Sequence, residues 1–169
     1  YDNQDRIIEK HVPGAGVTKI VYNPYDLPVM TQNSNMAEMD KWQVARYDKL
    51  NRTVGSGIYD ASQQWSSGGS QINPPGGTSR SGIQNQVNND PNILYARRRD
   101  GGVGTSDKFR AYFENDVFPS QNVEYLTCQL YDSYDLDLDG VDDFSYYDTD
   151  FNGTDEPPTS FSPIYMPEF

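Results

Sequence analysis

The sequence predicts an all-β fold of stacked antiparallel β-hairpins, with an inserted low-complexity loop and an irregular acidic C-terminal part. In the first third of the chain, short runs rich in β-branched residues alternate with Pro, Gly, Asn and Asp, a pattern typical of hairpins. Aromatic residues make up 13% of the chain and hydrophobic residues only 35%, which favours broad, half-exposed sheets over a thick core. The dipeptide Tyr-Asp occurs seven times, several times more often than composition alone would give, and indicates a repeated local structure.

Residues 1–61 are predicted to form a series of hairpins. RIIEKHV leads into the turn sequence PGAG, and VTKIVY leads into NPYDLP. WQVARY then places Trp42, Val44 and Arg46 on one face of a strand, and RTVGSGIY follows after a turn. The tyrosines of this part lie near the predicted strand ends.

Residues 62–92 are predicted to be an inserted loop. Ser, Gly, Gln, Asn and Pro dominate this segment, and Arg80 and Asp90 are its only charged residues. A short helix over residues 82–89 is compatible with the spacing of Ile83 and Val87, with Ser81 as its N-terminal cap.

Residues 93–147 are predicted to return to strands. The segment NVEYLTCQLYD alternates, and both of its faces are partly apolar, which suits a strand covered on each side, with Cys128 as a small buried hydrophobe. Residues 148–169 contain four prolines in their last fifteen positions and are predicted to be an extended tail.

Three segments of the first part share one pattern. YDNQDRII at Tyr1 and YDKLNRTV at Tyr47 both read Tyr-Asp, two variable residues, a turn-forming Asp or Asn, Arg and then β-branched residues. YNPYDLPV at Tyr22 keeps the pattern with Asn in place of Asp and Leu in place of Arg. An Asp side chain can accept hydrogen bonds from backbone N–H groups of the turn, and Asp or Asn tolerates the positive φ that closes it. The repeat residues are Tyr1, Asp2, Arg6, Tyr22, Asp26, Tyr47, Asp48 and Arg52.

These segments resemble the YD repeats of the RHS-repeat proteins, in particular the long cell-surface RHS proteins of Bacteroidota. LYDSYDLDLDGVDDF is similar to a Tyr-Asp-rich segment found further along in those proteins. The resemblance implies hairpins stacked into a spiral sheet, which in the family can close into a shell around a toxic or otherwise sequestered segment. It also implies export, with the type IX secretion system as the suspected route. Two departures are clear: the chain has too few repeats for a closed shell, and Asp90-Pro91 is not followed by the glycine pattern of the family's self-cleavage motif.

The segment DLDLDGVDD is a candidate calcium loop at residues 135–143. Alternate carboxylates ahead of a glycine can converge on one hard cation, and Ca²⁺ takes six to eight oxygen ligands. The alternative is a solvated acidic hairpin tip without a metal. The candidate ligands are Asp135, Asp137, Asp139, Asp142 and Asp143.

The charges are distributed unevenly along the chain. All 13 Lys and Arg residues precede residue 111, whereas 14 of the 25 acidic residues follow it. This acidic half argues against nucleic acid as a partner, since phosphate binding requires a basic face. No apolar stretch is long enough to span a membrane. His11 is the only histidine and nothing in the sequence places Cys128 near it, so we expect no catalytic site.

We therefore expect a non-enzymatic structural segment of a large exported RHS-type surface protein, which builds a β-shell or stalk and is carried as secretion cargo. Its expected partners are flanking repeats of its own full-length chain, together with secretion machinery or an outer-membrane protein. The expected location is the bacterial cell surface or the extracellular space. The alternative is a calcium-dependent adhesive or binding module that acts through the acidic loop.

Overall fold

A computed structural model describes residues 1–90, 95–99, 108–114 and 116–131. These residues form one six-stranded sheet, one small hairpin and three short helices. The strands are β1 (Glu9–Val12), β2 (Gly16–Tyr22), β3 (Pro28–Gln32), β4 (Lys41–Tyr47), β5 (Thr53–Asp60), β6 (Trp65–Ser67), β7 (Ser70–Ile72) and β8 (Val123–Cys128). The helices are α1 (Ser34–Ala37), α2 (Arg80–Asn89) and α3 (Lys108–Tyr112).

The six-stranded sheet is antiparallel throughout, in the order β1-β2-β3-β4-β5-β8. Its first five strands follow one another along the chain, and β8 pairs with β5 only after the chain has left the sheet for about sixty residues. The all-β prediction is therefore confirmed at the level of a mostly antiparallel sheet with few helices. Within the described residues, no helix is both long and apolar enough to cross a membrane.

One face of the sheet carries the main hydrophobic core. Val21, Met30, Trp42, Val44 and Tyr59 are each at most 1% exposed on this face. They share it because cross-strand partners project to the same side, and Val21, Met30 and Val44 are aligned across β2, β3 and β4. Helix α2 and the segment around residue 118 cover this face; they contribute Ile83, Val87 and Phe118 to the core.

Arg46 lies on the same buried face and is 3% exposed. Its guanidinium donates hydrogen bonds to the carbonyl oxygens of Val117, Phe118 and Pro119 and to the hydroxyl oxygen of Tyr125. A buried cation is costly unless its donors are paired, and here four acceptors meet it. Arg46 thereby fixes the segment that precedes β8 onto β4.

A second apolar cluster lies where α3 meets β5 and β8. Phe109 packs against Gly55, and its ring stacks on Tyr125 with 4.0 Å between the centroids. Phe109 and Phe113 also stack, at 5.0 Å. Their i,i+4 spacing is compatible with a helix here, where the sequence predicts strands.

Residues 62–92, predicted as an inserted loop with a short helix over residues 82–89, contain more regular structure than that prediction. The segment contains the β6–β7 hairpin and α2. The helix begins at Arg80 rather than residue 82, and its N-terminal cap is Ser79 rather than Ser81, since the Ser79 side chain accepts a hydrogen bond from the Gly82 N–H.

Helix α2 is held to β2 by polar contacts as well as by Ile83 and Val87. The Gln84 side chain accepts a hydrogen bond from the backbone N–H of Tyr22 at 3.1 Å and donates one to its carbonyl oxygen at 2.7 Å. Arg80 donates to the carbonyl oxygen of Ile20 at 2.8 Å. These hydrogen bonds help to hold α2 on the sheet. They could not be predicted from a sequence segment composed mainly of Ser, Gly, Gln and Asn.

Strand β8 departs from the prediction in its burial. Val123 is buried, but Leu126 is 62% exposed and Glu124 is exposed, so one face of β8 is largely uncovered. Cys128 is half-buried rather than buried. The candidate calcium loop at residues 135–143 and the tail at residues 148–169 lie outside the described residues.

Gly57 is expected to tolerate no side chain. A Cβ atom at this position would collide with the backbone carbonyl of Glu124, because β5 and β8 approach closely there. We predict that Gly57→Ala lowers the free energy of unfolding by about 1–3 kcal/mol, measured by urea denaturation. Thr53→Ala, an exposed change in the same strand, is the control, and equal effects of the two changes would contradict the account.

Candidate functional site

The candidate site is a row of three turns at one end of the sheet: turn 1 (residues 2–6), turn 2 (residues 23–27) and turn 3 (residues 48–52). In each turn the Oδ1 atom of the first residue accepts two backbone N–H groups, from the residues two and four positions further along. The three acceptors are Asp2, Asn23 and Asp48, and all six distances lie between 2.8 and 3.0 Å. The donors are Gln4 and Arg6, Tyr25 and Leu27, and Leu50 and Arg52.

The backbone of the three turns is closed in the same way. The carbonyl oxygen of the first residue accepts the N–H of the fourth at 3.0–3.1 Å, and the N–H of the first donates to the carbonyl oxygen of the fifth at 2.9–3.0 Å. The fourth residue has a positive φ in every case: 57° at Asp5, 62° at Asp26 and 61° at Asn51. Asp and Asn are the non-glycine residues best suited to this conformation.

The fifth residue distinguishes the charged turns from the neutral one. Arg6 and Arg52 each donate from Nε to Oδ2 of the first residue of their turn, Asp2 and Asp48, at 2.7 Å. In turn 2 the fifth residue is Leu27, and the first is Asn23, which is 2% exposed. The uncharged amide of Asn23 needs no cationic partner. Asn in place of Asp at the first position is therefore consistent with Leu in place of Arg at the fifth.

The tyrosines that precede turns 2 and 3 each donate a hydrogen bond back to the hairpin before their turn. The Tyr22 hydroxyl donates to the carbonyl oxygen of Ile7, and the Tyr47 hydroxyl donates to that of Pro28, both at 3.0 Å. Ile7 and Pro28 are equivalent, because each directly follows the fifth residue of the preceding turn. The strand register also shifts immediately before both tyrosines. Tyr1 occupies the same position in turn 1 and is 81% exposed.

Arg6 joins turn 1 to turn 2. Its Nη1 atom donates to the Asp26 carboxylate at 2.8 Å and to the Asn23 carbonyl oxygen at 3.3 Å, and its guanidinium lies 4.8 Å from the centre of the Tyr22 ring. Turns separated by two strands are therefore connected through side chains as well as through the sheet. The sequence pattern indicates the turn-forming residues but gives no sign of this contact between turns.

The carboxylates of Asp2 and Asp48 are held in the ionised form. The hydrogen bond from the Arg6 side chain, opposed by partial burial, lowers the pKa of Asp2 to about 2. Burial raises the pKa of Asp48, but the hydrogen bonds from Arg52 and Leu50 outweigh it, and the net shift is downward. Carboxylates that already accept two N–H groups and a guanidinium are poorly suited to bind a metal or transfer a proton.

The residues of the other candidate sites either lie far apart in the structure or lie outside the described residues. His11 is on β1 and Cys128 on β8, at opposite edges of the six-stranded sheet, so the two residues cannot form a pair. No group of three or more His, Cys, Asp or Glu that could hold a metal occurs in the part of the chain that the structure describes. All five candidate calcium ligands lie beyond residue 131, outside that part.

The structure also shows a groove of about 410 Å³ beside turn 3. Its lining is cationic and aromatic as well as apolar. The cationic and aromatic members are Lys49, Arg52, Arg97, Arg98, Tyr95, Phe113 and Tyr131. Sequence reasoning missed this groove because its walls come from four separated segments of the chain.

Comparison with known proteins identifies no relative: no protein-family model, curated protein or solved structure matches the chain. The function has to be argued from its own residues.

Asp48→Ala is predicted to lower the free energy of unfolding by about 1–2 kcal/mol, because two backbone N–H groups and a guanidinium lose their acceptor. Asp48→Asn is the matched control, since Asn23 fills this role in turn 2. Asn should recover part of the loss. If Asn and Ala were equally destabilising in urea denaturation, the Oδ1 bonds would not be the main source of stability.

A carboxyl NMR titration should give a midpoint near pH 2 for Asp2. Because the folded pKa lies below that of the unfolded chain, about 3.9, the stabilisation is complete above pH 4 and is lost as the pH falls through about 2. Arg6→Leu should move the midpoint of Asp2 up towards 3.8, the ordinary value. A midpoint near 3.8 in the unmodified chain would contradict the proposed pairing.

Proposed function

We propose that the chain is a structural, non-enzymatic scaffold segment of a large exported RHS-type surface protein. The observation that carries this proposal is the repeated turn: one geometry occurs three times, and contacts between successive copies join them. The hydroxyl bonds of Tyr22 and Tyr47, together with the Arg6–Asp26 ion pair, connect neighbouring hairpins in a regular order. In repeat scaffolds of this kind, each unit gains stability from its neighbours.

The proposed partners are flanking repeats of the same full-length chain. In support, turns 2 and 3 each join two paired strands of the sheet, and turn 1 has the same hydrogen bonds and leads into β1. β1 is an edge strand of the sheet within the described residues, so its outer backbone edge can accept a further antiparallel neighbour. The scaffold would then extend as a shell or stalk by adding hairpins.

Export rests on the resemblance to the RHS-repeat proteins. That resemblance supports a cell-surface or extracellular location, secretion as cargo through the type IX system, and contact with secretion machinery or an outer-membrane partner. It is carried by the sequence of the three turns and of residues 130–144.

Surface exposure can be measured on intact cells of the source organism. An antibody raised against the chain should label the cells or detect the protein in the medium, and added protease should remove the surface signal. A cytoplasmic protein serves as the lysis control. Detection only after lysis would contradict export and would leave the turn-based scaffold to be judged separately.

The second candidate function is a calcium-dependent adhesive or binding module. It is favoured by the alternation of Asp135, Asp137 and Asp139 ahead of Gly140, a spacing suited to a hard cation. Calorimetric titration should then show Ca²⁺ binding in the micromolar-to-millimolar range, and Asp137→Ala combined with Asp139→Ala should abolish it. Glu124→Gln, at an exposed acidic residue of β8, is the control. The absence of binding heat in the unmodified chain would exclude this function.

A further inference from the structure

The charge of the fourth residue of a turn matches the fifth residue of the turn before it. Asp26 is the fourth residue of turn 2, and its carboxylate accepts a hydrogen bond from Arg6, the fifth residue of turn 1, at 2.8 Å. The fourth residue of turn 3 is the uncharged Asn51, and the fifth residue of turn 2 is Leu27. An acidic fourth residue therefore follows a turn that ends in Arg, and a neutral one follows a turn that ends in Leu.

The tyrosine before a turn makes a second contact to the preceding hairpin. The Tyr22 hydroxyl donates to the carbonyl oxygen of Ile7, and the Tyr47 hydroxyl donates to that of Pro28. Each of these carbonyl groups belongs to the residue directly after the fifth residue of the preceding turn. The tyrosine and the fourth residue of a turn together form its interface with the hairpin before it.

Turn 1 exposes both groups of this interface. Tyr1 is 81% exposed, and Asp5, the fourth residue, is exposed as well. Within the described residues, the Tyr1 hydroxyl and the Asp5 carboxylate make no hydrogen bond or ion pair. Asp5 is acidic like Asp26, so turn 1 has the form that accompanies a preceding arginine.

The backbone beside turn 1 has an open edge. Turns 2 and 3 each reverse the chain between two paired antiparallel strands, whereas the strand that turn 1 leads into, β1, pairs only with β2 among the described strands. The Ile20 N–H donates to the carbonyl oxygen of Ile8, across the β1–β2 ladder. Because hydrogen-bonded and non-hydrogen-bonded pairs alternate along an antiparallel ladder, the N–H groups of Glu9 and His11 face the outer edge.

We infer that Tyr1, Asp5 and the outer edge of β1 form the docking surface for a preceding hairpin of the full-length chain whose turn ends in arginine. The guanidinium of that arginine donates to the Asp5 carboxylate, and the Tyr1 hydroxyl donates to the carbonyl oxygen of the residue after the arginine. The strand that runs into Tyr1 pairs with β1. In turns 1 and 3 the arginine accompanies Asp at the first position, so the preceding turn should begin with Asp.

Two features favour this partner over a second copy of the chain or an unrelated strand. Turn 1 has the closing hydrogen bonds of turns 2 and 3, so the strand that pairs with β1 across it is continuous with Tyr1. Pairing with the edge of β1 alone would engage neither Asp5 nor Tyr1, whereas a hairpin with the same kind of turn engages all three. This docking role rests on the scaffold role proposed above and does not depend on export or on calcium.

The test extends the full chain at its N-terminus by a second copy of residues 1–21. The added turn then ends in arginine and precedes Tyr1 at the spacing that separates Tyr1 from Tyr22. A matched extension carries leucine in place of the added arginine, as turn 2 does at Leu27. Asp5→Asn in the original turn should lower the Tm by about 1–3 °C with the arginine extension and by much less with the leucine extension.

The control cycle is Arg6→Leu with Asp26→Asn in the unextended chain, where the ion pair is observed. Coupling in both cycles supports the docking surface. Coupling in the Arg6–Asp26 cycle but not between the added arginine and Asp5 overturns it, while the scaffold role stands. Absence of coupling in both cycles overturns it and also removes the support that contacts between turns give to the scaffold proposal.

Amide hydrogen exchange measures the strand pairing without any substitution in the original chain. The N–H groups of Glu9 and His11 should exchange about tenfold or more slowly in the arginine-extended chain than in the unextended chain. The N–H of Lys10 faces β2 and serves as the internal control, since its exchange should change much less. Unchanged exchange of Glu9 and His11 overturns the docking surface.

Discussion

The structure depends on one short interaction: a side-chain oxygen that accepts the backbone N–H groups two and four residues further along the chain. A reversing chain leaves backbone donors without partners, and an Asp or Asn at the first position of the turn supplies the acceptor. In all three turns the fourth residue has a positive φ, and the N–H of the fifth donates to the side-chain oxygen of the first. A tyrosine precedes each of the three turns, and the fifth residue is Arg in turns 1 and 3 and Leu in turn 2.

The sheet is then completed by contacts that are distant in sequence. The turn row lies at one end of the sheet, while one face is covered by α2, α3 and the segment around residue 118. Arg46 is central to this cover, because its buried guanidinium donates to three carbonyl oxygens and one hydroxyl. Removing such a group would leave several buried acceptors unpaired at once. The repeated turns thus order the chain locally, and the described residues between β5 and β8 bury much of one face of the sheet.

The turns and the strands of residues 1–61 could be predicted because their physics is local. Asp, Asn and β-branched residues act on the backbone within a few positions, and Trp42, Val44 and Arg46 share a face by alternation alone. The structure of the described residues between β5 and β8 could not be predicted in the same way. Helix α2 is rich in Ser, Asn and Gln, and its stability comes from Ile83, Val87 and the Gln84 bonds to Tyr22, partners about sixty residues away. The contact between Arg6 and Asp26 could not be predicted from the sequence either, because it depends on how two hairpins pack.

A side-chain acceptor, rather than the sheet alone, holds each turn. Amide hydrogen exchange tests it most directly, with Arg6, Leu27 and Arg52 as the three equivalent donors. All three amides should exchange slowly in the unmodified chain. Asp48→Ala should accelerate exchange at Arg52, while Arg6 and Leu27 remain protected. Unchanged protection of Arg52 in that variant, with the sheet intact, would contradict the account.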